Sequence, residues 1–136
     1  MVTNVTHGVV VDLRSSAVAS REANRAVRQM LVDAGAYSLL HDATIAVTEV
    51  AGSIVNRSTS PCQMTASYSA DRGRLRVEVL IKASEDGSAA RSDTWLDPAG
   101  LPFVGALATE HGIDSCPDGT LVWFEMLQVR VADVPV

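Results

Sequence analysis

Apolar residues recur along this chain with two distinct periods. Val18, Ala19, Ala23, Ala26, Val27, Met30, Leu31 and Ala34 return at three- and four-residue steps, the pattern of an amphipathic helix over Val18–Ala34. Ser15 and Ser16 supply N-cap hydroxyls before it, and Gly35 follows it as a natural C-terminal stop. A second, more apolar helix is predicted from about His41 to about Arg57, built on Ile45, Val47, Val50, Ile54 and Val55. Gly52 lies inside it and costs roughly 1 kcal/mol relative to Ala, which is tolerable where a backbone or ligand approaches closely. The period then changes to two. Leu75, Val77, Val79 and Ile81 share one face of a strand whose other face carries Arg74, Arg76 and Glu78. Cys62–Ala70 is its hairpin partner across Asp71-Arg72-Gly73, and Val5–Leu13, centred on Val9-Val10-Val11, is an earlier strand. Ala83–Asp97 is polar and aperiodic and reads as a loop. A third helix is expected from Pro98 to about Glu110, a short strand over Gly112–Ser115, a turn at Pro117-Asp118-Gly119 and a last strand over Thr120–Val131.

The order β-α-α-β-β-loop-α-β-β is not an alternating βαβ pattern. It predicts one α+β domain over residues 1–136, a two-layer sandwich. Its sheet is expected to be mixed and mostly antiparallel, covered on one face by helices.

Composition narrows the function. The net charge is −5, which disfavours nucleic acid as a direct partner, because phosphate neutralisation needs a basic surface. No apolar run approaches the roughly 20 residues that cross a bilayer, and Met1–Arg14 does not read as a signal peptide. The expectation is a cytoplasmic protein with no membrane partner. Cys62 and Cys116 stand far apart with no CxxC spacing and read as two reduced thiols. His7, His41 and His111 are scattered, and no set of residues reads as a metal site.

Three short segments carry candidate chemistry. Thr48-Glu49-Val50-Ala51-Gly52-Ser53 puts Glu49 and Ser53 four apart on one helical face. Ile81-Lys82 ends the alternating strand, with Asp86-Gly87-Ser88 five residues further on. Pro98-Ala99-Gly100-Leu101 opens the third helix. The chain closes on Pro117-Asp118-Gly119-Thr120-Leu121-Val122-Trp123-Phe124-Glu125. With this element order, residues 15–127 resemble the anti-sigma branch of the Bergerat-type GHKL ATPases, a family with serine-kinase ancestry.

The resemblance implies three nucleotide motifs, each altered here. In Glu-x-x-x-Asn, Glu49 takes the place of the general base and Ser53 that of the Mg²⁺-binding Asn. The other reading makes Glu49 a solvated or capped helix carboxylate and Ser53 a small packing residue. The adenine-reading Asp falls at Ile81, which accepts no hydrogen bond. Asp86 either is recruited in its stead or belongs to an ordinary polar turn. In Gly-x-Gly-Leu, Pro98 replaces the first Gly and donates no N–H, which leaves Gly100 for close packing. Glu49, Ser53, Ile81, Asp86 and Gly100 are thus vestigial positions. ATP and Mg²⁺ binding is expected to be weak or lost, with no cofactor.

Arg21, Arg25 and Arg28 form a basic stripe on the first helix, and the resemblance makes Arg25 the contact to partner proteins. Arginine suits this role because its planar fork pairs with carboxylates, although a merely solvated face is the other reading. The implied partners are a sigma factor and a STAS-type anti-anti-sigma factor, with a homodimer as the implied assembly. Three functions follow: an anti-sigma factor without kinase activity, in effect a pseudokinase; an active ATP-dependent serine kinase that phosphorylates its anti-anti-sigma factor; or a GHKL-like module binding another ligand.

Overall fold

A computed structural model describes residues 6–14, 16–57, 61–82 and 101–128. Strand β1 (Thr6–Leu13) leads into helix α1 (Ser16–Asp33). A 3₁₀ turn (Tyr37–Leu39) runs directly into helix α2 (Leu40–Arg57). Strands β2 (Cys62–Ser69) and β3 (Arg74–Lys82) form a hairpin. The short helix α3 (Pro102–Leu107) precedes β4 (Glu110–Cys116) and β5 (Gly119–Leu127).

The five strands lie in the order β1-β2-β3-β5-β4. Each of the four described pairings is antiparallel, so the sheet expected to be mostly antiparallel is antiparallel throughout its described extent. Side chains on one face alternate into the core: Met64, Ala66 and Tyr68 from β2, Leu75, Val77, Val79 and Ile81 from β3, and Val122, Phe124 and Met126 from β5. Helices α1 and α2 pack on this face, so the molecule is the expected α+β two-layer sandwich. The opposite face mixes polar and apolar residues: it carries Thr65, Arg76, Glu78, Trp123 and Glu125, and also Val10, Leu80 and Leu121.

The helix pair packs through small residues. Ala19 and Ala23 of α1 and Ala43, Ala46 and Ala51 of α2 are buried, which lets the backbones come close. Gly52 belongs to this contact: a Cβ there would lie 3.0 Å from Ser20 Oγ of α1. The neighbour that the interior glycine accommodates is thus a helix of the same chain. Gly35 closes α1 with φ +73°, while its N–H bonds Val32 O and the Ala36 N–H bonds Leu31 O.

Both ends of helix α3 differ from the sequence reading, as does the exposure of Val18. Helix α3 starts at Pro102 rather than Pro98 and ends at Leu107 rather than Glu110. Pro102 at the first helical position lacks an N–H that no helix start requires, whereas inside a helix from Pro98 it would remove a bond. Ala108 is extended, and the Thr109 N–H bonds Glu125 O, which draws the chain into β4. Val18, assigned by period to the apolar face of α1, is 43% exposed. The loop expected over Ala83–Asp97 and the end of the last strand beyond Gln128 lie outside the described residues.

Candidate functional site

The outer surface of α1 and α2 holds two adjoining grooves. One, of about 390 Å³, is lined by Ser20, Arg21, Asn24, Arg25, Arg28 and Thr48. The other, of about 410 Å³, is lined by Asn24, Thr44, Ile45, Thr48, Glu49 and Phe103. Asn24 and Thr48 belong to both, so the grooves meet along the line where the helices cross.

That shared floor is a ladder of hydrogen bonds. Asn24 Nδ2 donates to Thr48 Oγ1 at 2.8 Å and to Thr44 O at 3.3 Å. Thr48 Oγ1 donates in turn to Thr44 O at 2.7 Å, and Thr44 Oγ1 to Leu40 O at 2.9 Å. Each threonine bonds the carbonyl four residues back within α2, which leaves its oxygen lone pairs available to α1. These bonds fix the relative position of the helices and therefore of everything mounted on them. Asn24 and Thr48 were not singled out as site residues from sequence. A signal exists, because Asn is an unfavourable helix-interior residue and its presence points to a tertiary bond.

The structure brings Arg21, Arg25 and Arg28 together on the first groove. All three are exposed, and among the described residues none forms an ion pair. Gln29 bonds Asp33 at 2.8 Å on a different side of the helix, so that acid does not neutralise the stripe.

Glu49 lies at the far end of the second groove. Its Oε1 accepts the Val104 N–H at 2.9 Å and its Oε2 the Phe103 N–H at 3.1 Å. A carboxylate from α2 thus caps the start of α3, whose open N–H groups and local dipole favour an anion. The Leu101 N-cap position makes no side-chain capping bond of its own, which leaves those amides to Glu49. Ser53, one turn further along α2, is half-buried. Ile81 is 3% exposed and packs in the core on the helix-facing side of β3, opposite Cys62 and Thr120. Asp86, Pro98 and Gly100 lie outside the described residues. Glu49 and the arginines therefore share one contiguous surface, while Ile81 is enclosed in the core.

His7, His41 and His111 sit on β1, α2 and β4 and do not converge. Among the described residues no three His, Cys, Asp or Glu side chains form a metal-binding group, and Cys62 and Cys116 form no disulfide. Among the described residues, no helix is long and apolar enough to cross a membrane.

Neither a protein-family model nor a curated protein sequence matches the chain. Among solved structures it is similar to the crystal structure of the RsbU and RsbW domains of Rv1364c from Mycobacterium tuberculosis. The two align at TM-score 0.68 and 20% sequence identity, over 95% of this chain and 34% of that one. The chain therefore spans about a third of the length of the solved protein, and at this identity the likeness is one of fold.

Proposed function

We propose that the protein is a cytoplasmic anti-sigma factor of the partner-switching class. It holds an alternative sigma factor of RNA polymerase through the α1–α2 surface and releases it by exchange with a STAS-type anti-anti-sigma factor. The observation that carries this reading is the arginine stripe, exposed and without ion pairs to described residues, at the position where the sequence resembles the family's contact helix. The fold shared with an RsbW-containing protein points toward the same class. A desolvated pair between an arginine fork and a carboxylate gives both attraction and orientation.

The reading includes the absence of kinase activity. Mg·ATP fits the described residues poorly. Glu49, the counterpart of the general base, already bonds the first amides of α3, and a base must be able to reach the proton that it removes. Ile81 brings a buried alkyl group where the family reads adenine with a carboxylate. A buried donor left unpaired in this way costs about 1–3 kcal/mol.

Two measurements test the reading together. Affinity purification of the tagged protein from its native host is expected to recover a sigma factor. Titration calorimetry with Mg·ATP is expected to give no binding in the micromolar range, and a radiolabelled assay no transfer to a candidate antagonist. Micromolar binding, or phosphorylation abolished by Glu49→Ala, restores the serine-kinase reading.

A further inference from the structure

The exposed side of α1 holds more than arginines. Val18 and Val32, the two exposed valines of the helix, are 43% and 36% accessible. Val18, Arg21, Arg25, Arg28 and Val32 follow one another at steps of three, four, three and four residues. Successive side chains advance about 100° around an α-helix, so all five fall within an arc of about 80°. The acidic residues of α1, Glu22 and Asp33, lie outside that arc. One face of α1 is therefore a continuous seam, apolar at both ends and basic in the middle. Its 3-4 spacing is the one through which helices pack against helices.

From this seam we infer that α1 docks a helix of a partner protein, with carboxylates at its centre and an apolar side chain near each end. The length follows from the valines: fourteen steps at about 1.5 Å rise per residue span about 21 Å, or roughly four turns. The groove of about 390 Å³ beside the seam gives such a helix a second wall, formed by Thr48 of α2. The chemistry of the occupant follows from charge. In a second copy of this chain docked about a two-fold axis, either parallel or antiparallel pairing sets arginine against arginine along the seam. Six guanidinium groups would then converge without a carboxylate, whereas an acid-centred helix pairs all three. The inference rests on the proposed partner-binding role of α1 and specifies the segment that the partner presents.

The test uses labelled synthetic helical peptides of about 18 residues, roughly five turns. The first carries three glutamates at the seam spacing and a leucine near each end. In the second, lysines replace the glutamates; in the third, serines replace the leucines. Fluorescence anisotropy against the full chain is expected to show binding of the first and none of the second. The third is expected to bind about tenfold more weakly, the scale of burying apolar side chains at both ends. Val18→Ser with Val32→Ser should weaken the first peptide by a similar factor at unchanged melting temperature, because both side chains are exposed. Arg21→Glu, Arg25→Glu and Arg28→Glu together should exchange the preference from the first peptide to the second. Equal binding of the first and third peptides, indifference to the valine variants, or self-association of the chain that Val18→Asp disrupts would each overturn the inference. A sigma factor that co-purifies and depends on Arg25 but not on Val18 or Val32 would overturn it while leaving the proposed function intact.

Discussion

Arg21, Arg25 and Arg28 on α1 and Arg74 and Arg76 on β3 are the same side chain in two electrostatic situations. On the open face of the sheet, Arg76 Nε donates to Glu78 Oε1 at 2.6 Å and Nη1 to Glu125 Oε2 at 3.1 Å. Its guanidinium also lies 4.5 Å from the centre of the Trp123 ring, and Trp123 Nε1 bonds Asp114 Oδ2 at 3.0 Å. Arg74 reaches Glu125 at 3.9 Å. Partial burial opposes the charge of Arg76, yet the bonds from Glu78 and Glu125 outweigh it and hold its pKa above the ordinary value. The arginines of α1 have no such described partners. A cation whose donors are filled within the fold stabilises that fold. A cation that faces water has donors left for another molecule.

If the contrast holds, substitutions in the two sets have opposite consequences. Arg76→Glu places a third carboxylate beside Glu78 and Glu125, whose side chain is only 13% exposed. Breaking a well-buried pair costs 3–5 kcal/mol, and Arg76 is partly solvated, so the expected loss is about 3 kcal/mol or somewhat less. Denaturant unfolding followed by Trp fluorescence measures it. A variant as stable as the parent would mean that the sheet-face network contributes little.

Arg25→Glu is expected to do the reverse. Stability should change by less than about 0.5 kcal/mol, as for surface positions without fixed partners. Under the proposed function, affinity for a sigma factor recovered from the host should fall by about 2 kcal/mol if the pair is desolvated. Arg72→Glu, on the exposed β2–β3 turn, is the control and should leave affinity unchanged. Equal losses in the two variants would make the effect one of net charge rather than of position.

Both arginine sets were visible in the sequence as spacings, but their difference was not. The alternation of Leu75 to Ile81 fixed which face of β3 is buried, and so placed Arg76 and Glu78 on the open face. That Glu125 joins them depends on the pairing of β3 with β5, which follows from topology rather than local pattern. Helix α1 was legible from its period, yet the same period put Val18 on the wrong face, because a residue at the margin of an apolar stripe belongs to either side. The bonds of Glu49 join residues 54 and 55 apart in sequence, and no local signal announces them. The start of α3 was placed at Pro98 because a proline suits a first turn, but Pro102 suits it equally and begins the helix.

Glu49 extends the comparison to a satisfied anion on the α1–α2 surface itself. Glu49→Ala should cost about 1 kcal/mol, the usual value for losing a cap at a helix start. The Phe103 and Val104 amides should exchange with solvent faster, as read by hydrogen–deuterium exchange, while those of Val47 and Val50 in the core of α2 keep pace only with global stability. Unchanged exchange at Phe103 and Val104 would show that α3 holds its place without the carboxylate.

The smallest expected effect concerns Asp71, an exposed acid on the β2–β3 turn beside Arg72. Ser69 Oγ donates to Asp71 Oδ1 at 2.5 Å. This bond is the largest cause holding the Asp71 pKa below its ordinary value, and the charge of Arg72 adds to it. A carboxylate with a depressed folded-state pKa contributes stability that is present above its unfolded value and is lost as pH falls through the folded one. The loss therefore belongs on the acid side of the ordinary aspartate range, and at neutral pH the contribution is fully present. Ser69→Ala removes the leading cause, so the Asp71 titration should move upward toward the ordinary value, with part of the shift retained through the backbone N–H groups of Asp71 and Arg72 and the charge of Arg72. NMR titration of the side-chain carboxyl carbon reads this directly. Because the group is in water, the accompanying change in unfolding midpoint should be far smaller than for Arg76→Glu. A titration that does not move on loss of the Ser69 hydroxyl would assign the depression to the backbone amides of the turn and the charge of Arg72, and the hydroxyl bond would then play no part in setting this region apart from α1.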